Sequence, residues 1–235
     1  MIQPKKHYKH LFFDLDRTLW DFDSSSKQTF IDLFEQFNLK SFGIQDVETF
    51  VSVYNKFNDY YWDLYRKGEV TKEVLRGIRF QTTFDSFGLD NKLLVQQITE
   101  AYLYHSPRNV FLFPNTHKTL EYLQDKVTLH LITNGFEEVQ EIKMQSSDLR
   151  KYFTTIVTSE EAGVKKPDAR IFEFALKRAG AEAIESIMIG DDLEVDIEGA
   201  RQFGMDTVFF NPDKVVHPGN ATFEITDLCE LCDYF

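Results

Sequence analysis

Five short apolar runs, each cut off by polar residues, constrain this chain more than any other feature. They span residues 10–14 (His-Leu-Phe-Phe-Asp), 127–133 (Val-Thr-Leu-His-Leu-Ile-Thr), 154–159 (Thr-Thr-Ile-Val-Thr-Ser), 186–190 (Ser-Ile-Met-Ile-Gly) and 207–210 (Thr-Val-Phe-Phe). Runs this short, rich in β-branched and aromatic side chains, suit strands buried on both faces of a parallel sheet. Helical stretches lie between them. One, over residues 136–145, repeats Phe136, Val139 and Ile142 on one face. A second opens at Pro167 and stops at Gly180; a third follows Asp192, a good N-cap, and stops at Gly204. Strand and helix alternate from about residue 110 onward, which predicts an α/β fold with a doubly wound parallel sheet.

Residues 24–106 break that rhythm. They read as wholly helical, punctuated by Gly43, Gly68 and Gly88, and predict a helical domain inserted after the first strand. The expected division is a core of residues 1–23 and 107–235 and a cap of residues 24–106. The cap is dense in aromatics: Phe50, Tyr54, Phe57, Tyr60, Tyr61, Trp62 and Tyr65 fall in one window. They fill the core of a helix bundle or stack a ring-shaped ligand, and the sequence leaves both open. Arg66 and Arg79 face either a ligand or solvent.

The chain has 235 residues, 43% of them apolar and 27% charged, the balance of a globular protein. A formal net charge of −12 argues against nucleic acid as a partner, because phosphate-binding surfaces are rich in Lys and Arg. The cluster Lys5, Lys6, His7, Lys9 and His10 reads as a solvated terminus. No segment reaches the roughly 18 consecutive apolar residues of a membrane span, and a cytoplasmic address is expected. Cys229 and Cys232 lack a second ligand pair, so they read as small apolar residues of the last helix.

In an open parallel sheet, ligands bind at the carboxyl ends of the strands. The residues there are Asp14 and Asp16, then Thr133, Asn134 and Gly135, then Asp191 and Asp192, with Lys165 and Lys166 just past the third run. Several converging carboxylates repel one another unless a cation sits among them, and hard oxygen ligands favour Mg²⁺. Thr133, the Asn134 side chain and nearby backbone amides can donate to phosphate oxygens, and a lysine neutralises the remaining charge. Asp14 can attack phosphorus, while Asp16, two residues on, protonates the leaving oxygen and later takes a proton from water. Each piece alone is commonplace; all of them in this order at strand ends form a catalytic constellation.

The segments Phe-Phe-Asp14-Leu-Asp16-Arg-Thr18-Leu, Ile-Thr133-Asn134-Gly135, Lys166-Pro167-Asp168 and Gly190-Asp191-Asp192 with Asp196 resemble those of the haloacid dehalogenase superfamily. The resemblance spans essentially the whole chain. It implies a Rossmann-like α/β core with an inserted all-helical cap, Asp14 as nucleophile and Asp16 as general acid/base. It implies Thr133, Asn134 and Lys166 as phosphoryl ligands, with Lys166 selected over Lys165 by its place before proline. Mg²⁺ is implied at Asp14, the backbone carbonyl of Asp16 and Asp191, with Asp192 and Asp196 supporting the metal. Members that cleave carbon–halogen bonds lack an aspartate at the position of Asp16 and need no metal, so a dehalogenase is not expected. Arg17 stands where many relatives carry a small residue, which bears on the shape of the nucleophile loop.

Three further stretches, Phe-Phe-Asp-Leu-Asp-Arg-Thr-Leu-Trp-Asp-Phe-Asp, Ile-Thr-Asn-Gly-Phe and Ser-Glu-Glu-Ala-Gly-Val-Lys-Lys-Pro, are similar to bacterial pyrimidine 5′-nucleotidases of that superfamily. The implied substrate is a nucleoside 5′-monophosphate, handled by a monomer or dimer with no nucleic-acid or membrane partner. The alternatives are a sugar-phosphate or phosphoglycolate phosphatase, a phosphomutase, or a non-catalytic binding protein on the same fold.

Overall fold

In a computed structural model, which describes residues 7–235, the five apolar runs are all strands. Lys5 and Lys6 lie outside the described residues. The strands are β1 (His10–Phe13), β2 (Thr128–Thr133), β3 (Thr155–Thr158), β4 (Ser186–Gly190) and β5 (Asp206–Phe210); a sixth, β6 (Phe223–Ile225), joins them. At three residues with a central glutamate, β6 carries too little pattern to be read from sequence. The sheet is parallel throughout, in the order β3-β2-β1-β4-β5-β6.

The absence of alternation in the strands reflects burial on both faces. Leu11 and Phe13 of β1 pack on one side with Leu129, Leu131, Ile187, Ile189 and Val208. Phe12, between them, points to the other side with Ile132, Met188, Ile171 and Phe172. Each such side chain removed from water stabilises the sheet by roughly 1.5–3 kcal/mol. The polar side chains on the strands, His130 and Thr207 among them, are buried as well, which is why the runs show no solvent-facing alternation.

The chain forms two compact units, one of residues up to Phe22 together with Val110–Phe235, the other Asp23–Asn109. The second unit is helical: α1 (Phe22–Gln36, which begins one residue earlier), α2 (Val47–Arg66), α3 (Lys72–Ser86) and α4 (Lys92–His105). Rings interlock at its centre, with Phe30 4.5 Å from Tyr54 and 4.6 Å from Tyr102 between centroids. Of the aromatic window, Phe50 and Tyr54 belong to the core of the bundle, Tyr65 is buried and Tyr60 is exposed. Arg79 corrects the solvated-face reading. It is 5% exposed, donates from Nη1 to Asn58 Oδ1 at 2.7 Å, and lies against the rings of Tyr54, Phe80 and Tyr102. Arg66 is half-buried and lies 3.6 Å from Asp63.

The remaining helices are α5 (Thr116–Gln124), α6 (Glu137–Ser146), α7 (Ser159–Ala162), α8 (Ala169–Ala179), α9 (Gly199–Phe203) and α10 (Leu231–Tyr234). Two starts differ from the sequence reading. Helix α8 begins after Asp168, whose carboxylate accepts from Arg170 N–H, rather than at Pro167. Pro167 instead packs on Gly199, where a Cβ would sit 2.7 Å from the proline Cβ. The stretch from Leu193 opens in a wide π-type turn, with Ile197 N–H donating to Asp192 O at 3.1 Å, before tightening into α9. Such turns cluster at functional sites, and this one turns Asp196 inward. Cys229 and Cys232 are half-buried free thiols, the first pushed up by its hydrogen bond to Asp227 and the second by burial. Among the described residues no helix is long and apolar enough to cross a membrane.

Candidate active site

Strand order decides which residues meet. Because β1 lies between β2 and β4, with Phe13 paired to both Leu131 and Ile189, the carboxyl ends of the three strands finish side by side. Asp14 continues that ladder by donating its N–H to Ile189 O at 2.9 Å. The chain leaves β1 toward β2 on one side and leaves β4 toward β5 on the other, so a crevice opens where Asp14 and Asp191 emerge, with Thr133 on the neighbouring strand.

Lys166 reaches this point from the loop before α8. Its backbone is clamped by Asn134, whose Oδ1 accepts from Lys166 N–H at 2.8 Å and whose Nδ2 donates to Lys166 O at 3.0 Å. The Asn134 side chain is thus engaged in placing Lys166. Lys165 stays half-exposed while Lys166 is 1% exposed, so the geometry itself separates the two lysines. The ammonium of Lys166 uses all its protons, donating to Asp14 Oδ1 at 2.6 Å, Asp196 Oδ1 at 2.6 Å and Ile132 O at 2.8 Å.

Lys166 thus pairs with two carboxylates, and a third, that of Asp191, lies beside them. Oxygens of Asp14, Asp191 and Asp196 lie within 4.8 Å of one another. Burial pushes the Asp14 carboxyl up to about 7, with Lys166 opposing and Asp196 reinforcing the rise. Burial likewise raises Asp191 well above the carboxylate range, helped by the charges of Asp196 and Asp14. Burial works against the charge on Lys166, but Asp14 and Asp196 outweigh it and hold the ammonium protonated. A compact, all-oxygen donor set short of positive charge fits a hard divalent cation. Gly190 makes the packing possible, since a Cβ there would sit 2.3 Å from Asp196 Oδ2.

The other expected residues divide. Thr18 Oγ1 donates to Asp191 Oδ1 at 3.1 Å and joins the cluster. Asp192 does not; its carboxylate caps the next turn, accepting from Glu194 and Val195 N–H at 3.0 Å each. Asp196 N–H and carboxylate tie the same turn to Lys166. Arg17 takes the left-handed conformation at φ 64°, the region glycine enters without steric cost, and its guanidinium lies over the Phe22 ring.

Asp16 turns toward α6, where two residues not foreseen from sequence receive it. Lys143 Nζ forms an ion pair with Asp16 Oδ1, and Gln140 Nε2 donates to Asp16 Oδ2 at 2.8 Å and to Thr133 Oγ1 at 2.7 Å. The buried face of α6 is Gln140, Lys143 and Met144, whereas Val139 and Ile142 are only half-buried. The apolar triplet drew attention to the wrong face. The usable signal was Gln140, Lys143, Met144 and Ser147 at helical spacing, all four of them buried.

The haloacid dehalogenase-like hydrolase family matches residues 11–210. The chain belongs to that family. As a haloacid dehalogenase-like hydrolase it is 30% identical to the pyrimidine 5′-nucleotidase PynA of Streptococcus pneumoniae, over 96% of this chain and 94% of the relative. It is also 30% identical to the pyrimidine 5′-nucleotidase YjjG of Escherichia coli, over 94% and 95% of the two chains. The crystal structure of the putative haloacid dehalogenase hydrolase YfnB of Bacillus subtilis, bound to magnesium, superposes with a TM-score of 0.86 at 28% identity, covering 97% and 98%.

Proposed function

We propose that this hydrolase removes phosphate from a small phosphomonoester, with a nucleoside 5′-monophosphate as substrate class, through a phosphoryl group carried on Asp14. The observation that carries the reading is the crevice itself: a buried carboxylate held by Lys166, next to Thr133, in a cluster short of positive charge. Asp14, Asp191 and the backbone carbonyl of Asp16 would hold Mg²⁺, with Asp196 behind them. When bound, that ion neutralises charge and polarises a phosphoryl oxygen.

Asp14 attacks phosphorus, forming an acyl phosphate as the bond from phosphorus to the ester oxygen breaks. Asp16 gives its proton to the departing alkoxide. Asp16 then takes a proton from a water that attacks the same phosphorus, releasing inorganic phosphate and restoring the Asp14 carboxylate. Thr133 binds the transferred group, Lys166 joins it with the ammonium proton that Asp14 gives up on esterification, and Asn134 keeps Lys166 in place. The presence of Asp16 favours ester hydrolysis over dehalogenation, because an alkoxide needs a proton and a halide does not.

The nucleotide assignment draws on the two full-length relatives named as pyrimidine 5′-nucleotidases. Phosphate release from dUMP, dTMP, UMP, AMP, phosphoglycolate and hexose phosphates, compared by kcat/KM with Mg²⁺ present, tests it. Pyrimidine nucleotides are expected to lead, and a sugar phosphate in first place would overturn the substrate class. Asp14→Asn is expected to abolish release while the protein stays folded; full activity in that variant would overturn the mechanism.

A further inference from the structure

We propose that Lys143 and Gln140 of α6 are positioning residues for the proton-transfer step, fixing the Asp16 carboxylate and coupling it to the phosphoryl-binding Thr133. The inference deepens the reading above and rests on Asp16 being the acid/base. Lys143 is 4% exposed and Gln140 fully buried, although lysine and glutamine on a short amphipathic helix ordinarily face water. Burying an ammonium is costly unless it is paired, and the pair here is Asp16. Aromatic walls confine it further, with Nζ 5.4 Å from the Trp20 ring centroid and 5.6 Å from that of Phe22.

Gln140 supplies the second contact. Its two amide protons are divided between Asp16 Oδ2 and Thr133 Oγ1, so one side chain spans the acid/base and the phosphoryl site. Gly135 accommodates it: a Cβ at that position would lie 2.1 Å from Gln140 Nε2. Each Asp16 oxygen therefore has one acceptor site engaged, which sets the plane of the carboxylate. A carboxylate has about four such sites, and the remaining ones are left to take and give the proton.

The test is the dependence of rate on the leaving group. A well-placed acid matters greatly for an alkoxide and little for p-nitrophenolate, which leaves without a proton. For Lys143→Met, kcat/KM for the best nucleotide of the panel is expected to fall roughly 10- to 100-fold, against a loss of about threefold or less for p-nitrophenyl phosphate. KM for the nucleotide is expected to change little, and Lys143→Arg to restore most of the rate. Gln140→Leu keeps the volume without the donors and is expected to show the same selective loss. Equal losses on both esters in both variants, or no loss in either, would overturn the inference. Asp16→Ala separates this from the parent reading: if it shows no leaving-group selectivity, Asp16 is not the acid; if it does and the α6 variants do not, α6 does not position it.

Discussion

At the scale of single residues, this site is shaped by where a side chain cannot be. Gly190 ends β4 directly over Asp196, and a methyl there would sit 2.3 Å from the Asp196 carboxylate oxygen and 2.4 Å from its carbon. Nothing flexible can yield, because Asp196 is pinned to Lys166 at 2.6 Å and is 1% exposed. Gly190→Ala is therefore expected to push Asp196 off the ammonium and leave a buried ion pair half broken. Stability should fall by about 3 kcal/mol, the lower range for a disrupted buried pair. Turnover should fall on the order of 100-fold, because Lys166 moves with its partner. Urea unfolding and phosphate release measure the two effects, and a variant as stable as the parent would show that Asp196 can move freely. Asp14 and Asp191 were legible as site residues because they terminate apolar runs. The side-chain work of Asn134 and Asp192 was not, because a polar residue at a strand end has backbone groups as well as ligands to satisfy, and sequence does not say which it serves.

At the scale of elements, β1 and β2 carry an unusual pair of imidazoles. His10 Nδ1 lies 3.0 Å from His130 Nε2, and His130 also stacks on Phe12 at 4.6 Å. Burial, with the neighbouring His10 adding to it, pushes His130 down to about 4 from the ordinary 6.5. Its Nδ1 has no hydrogen-bond partner, so the folded state has no place for a second proton there. Between pH 6.5 and 4 the unfolded chain binds a proton that the folded chain refuses. The contribution is complete above pH 6.5 and is lost as pH falls toward 4, by at most about 3 kcal/mol. His130→Phe removes the titrating ring and keeps the stacking. Relative to the parent, this variant should gain about 2 kcal/mol between pH 7 and pH 4.5 in urea melts; parallel curves would show that His130 is protonated in the folded state. The strands themselves were plain in the sequence because burial on both faces leaves continuous apolar runs. Helix α6 was located but its face was misjudged: Phe136, Val139 and Ile142 look like a core stripe, while the true inward stripe is partly charged. A hydrophobic pattern cannot reveal a helix that faces inward to hold a carboxylate.

At the scale of the whole molecule, each unit has its own core, and the acidic cluster belongs to one of them alone. Asp14, Asp191 and Asp196 all come from the unit that holds the sheet, and Asp23–Asn109 contributes none of them. A cation bound there should stabilise unequally. Mg²⁺ at about 100 times its dissociation constant adds roughly 2.7 kcal/mol to whatever unfolds with the site. Amide-exchange protection is expected to rise in β1, β2 and β4 on adding Mg²⁺ while α2, α3 and α4 change little. Asp191→Asn makes the comparison sharp. It removes a buried carboxylate that the charges of Asp14 and Asp196 oppose and leaves their ion pairs with Lys166 intact, so the metal-free variant should be at least as stable as the metal-free parent. It should also lose the response to Mg²⁺, because it has lost a ligand oxygen with charge. A stabilised parent and an unresponsive but sound variant would place the ion at the cluster by a measurement independent of turnover. An equal rise in protection across both units, or the same rise in Asp191→Asn, would place it elsewhere.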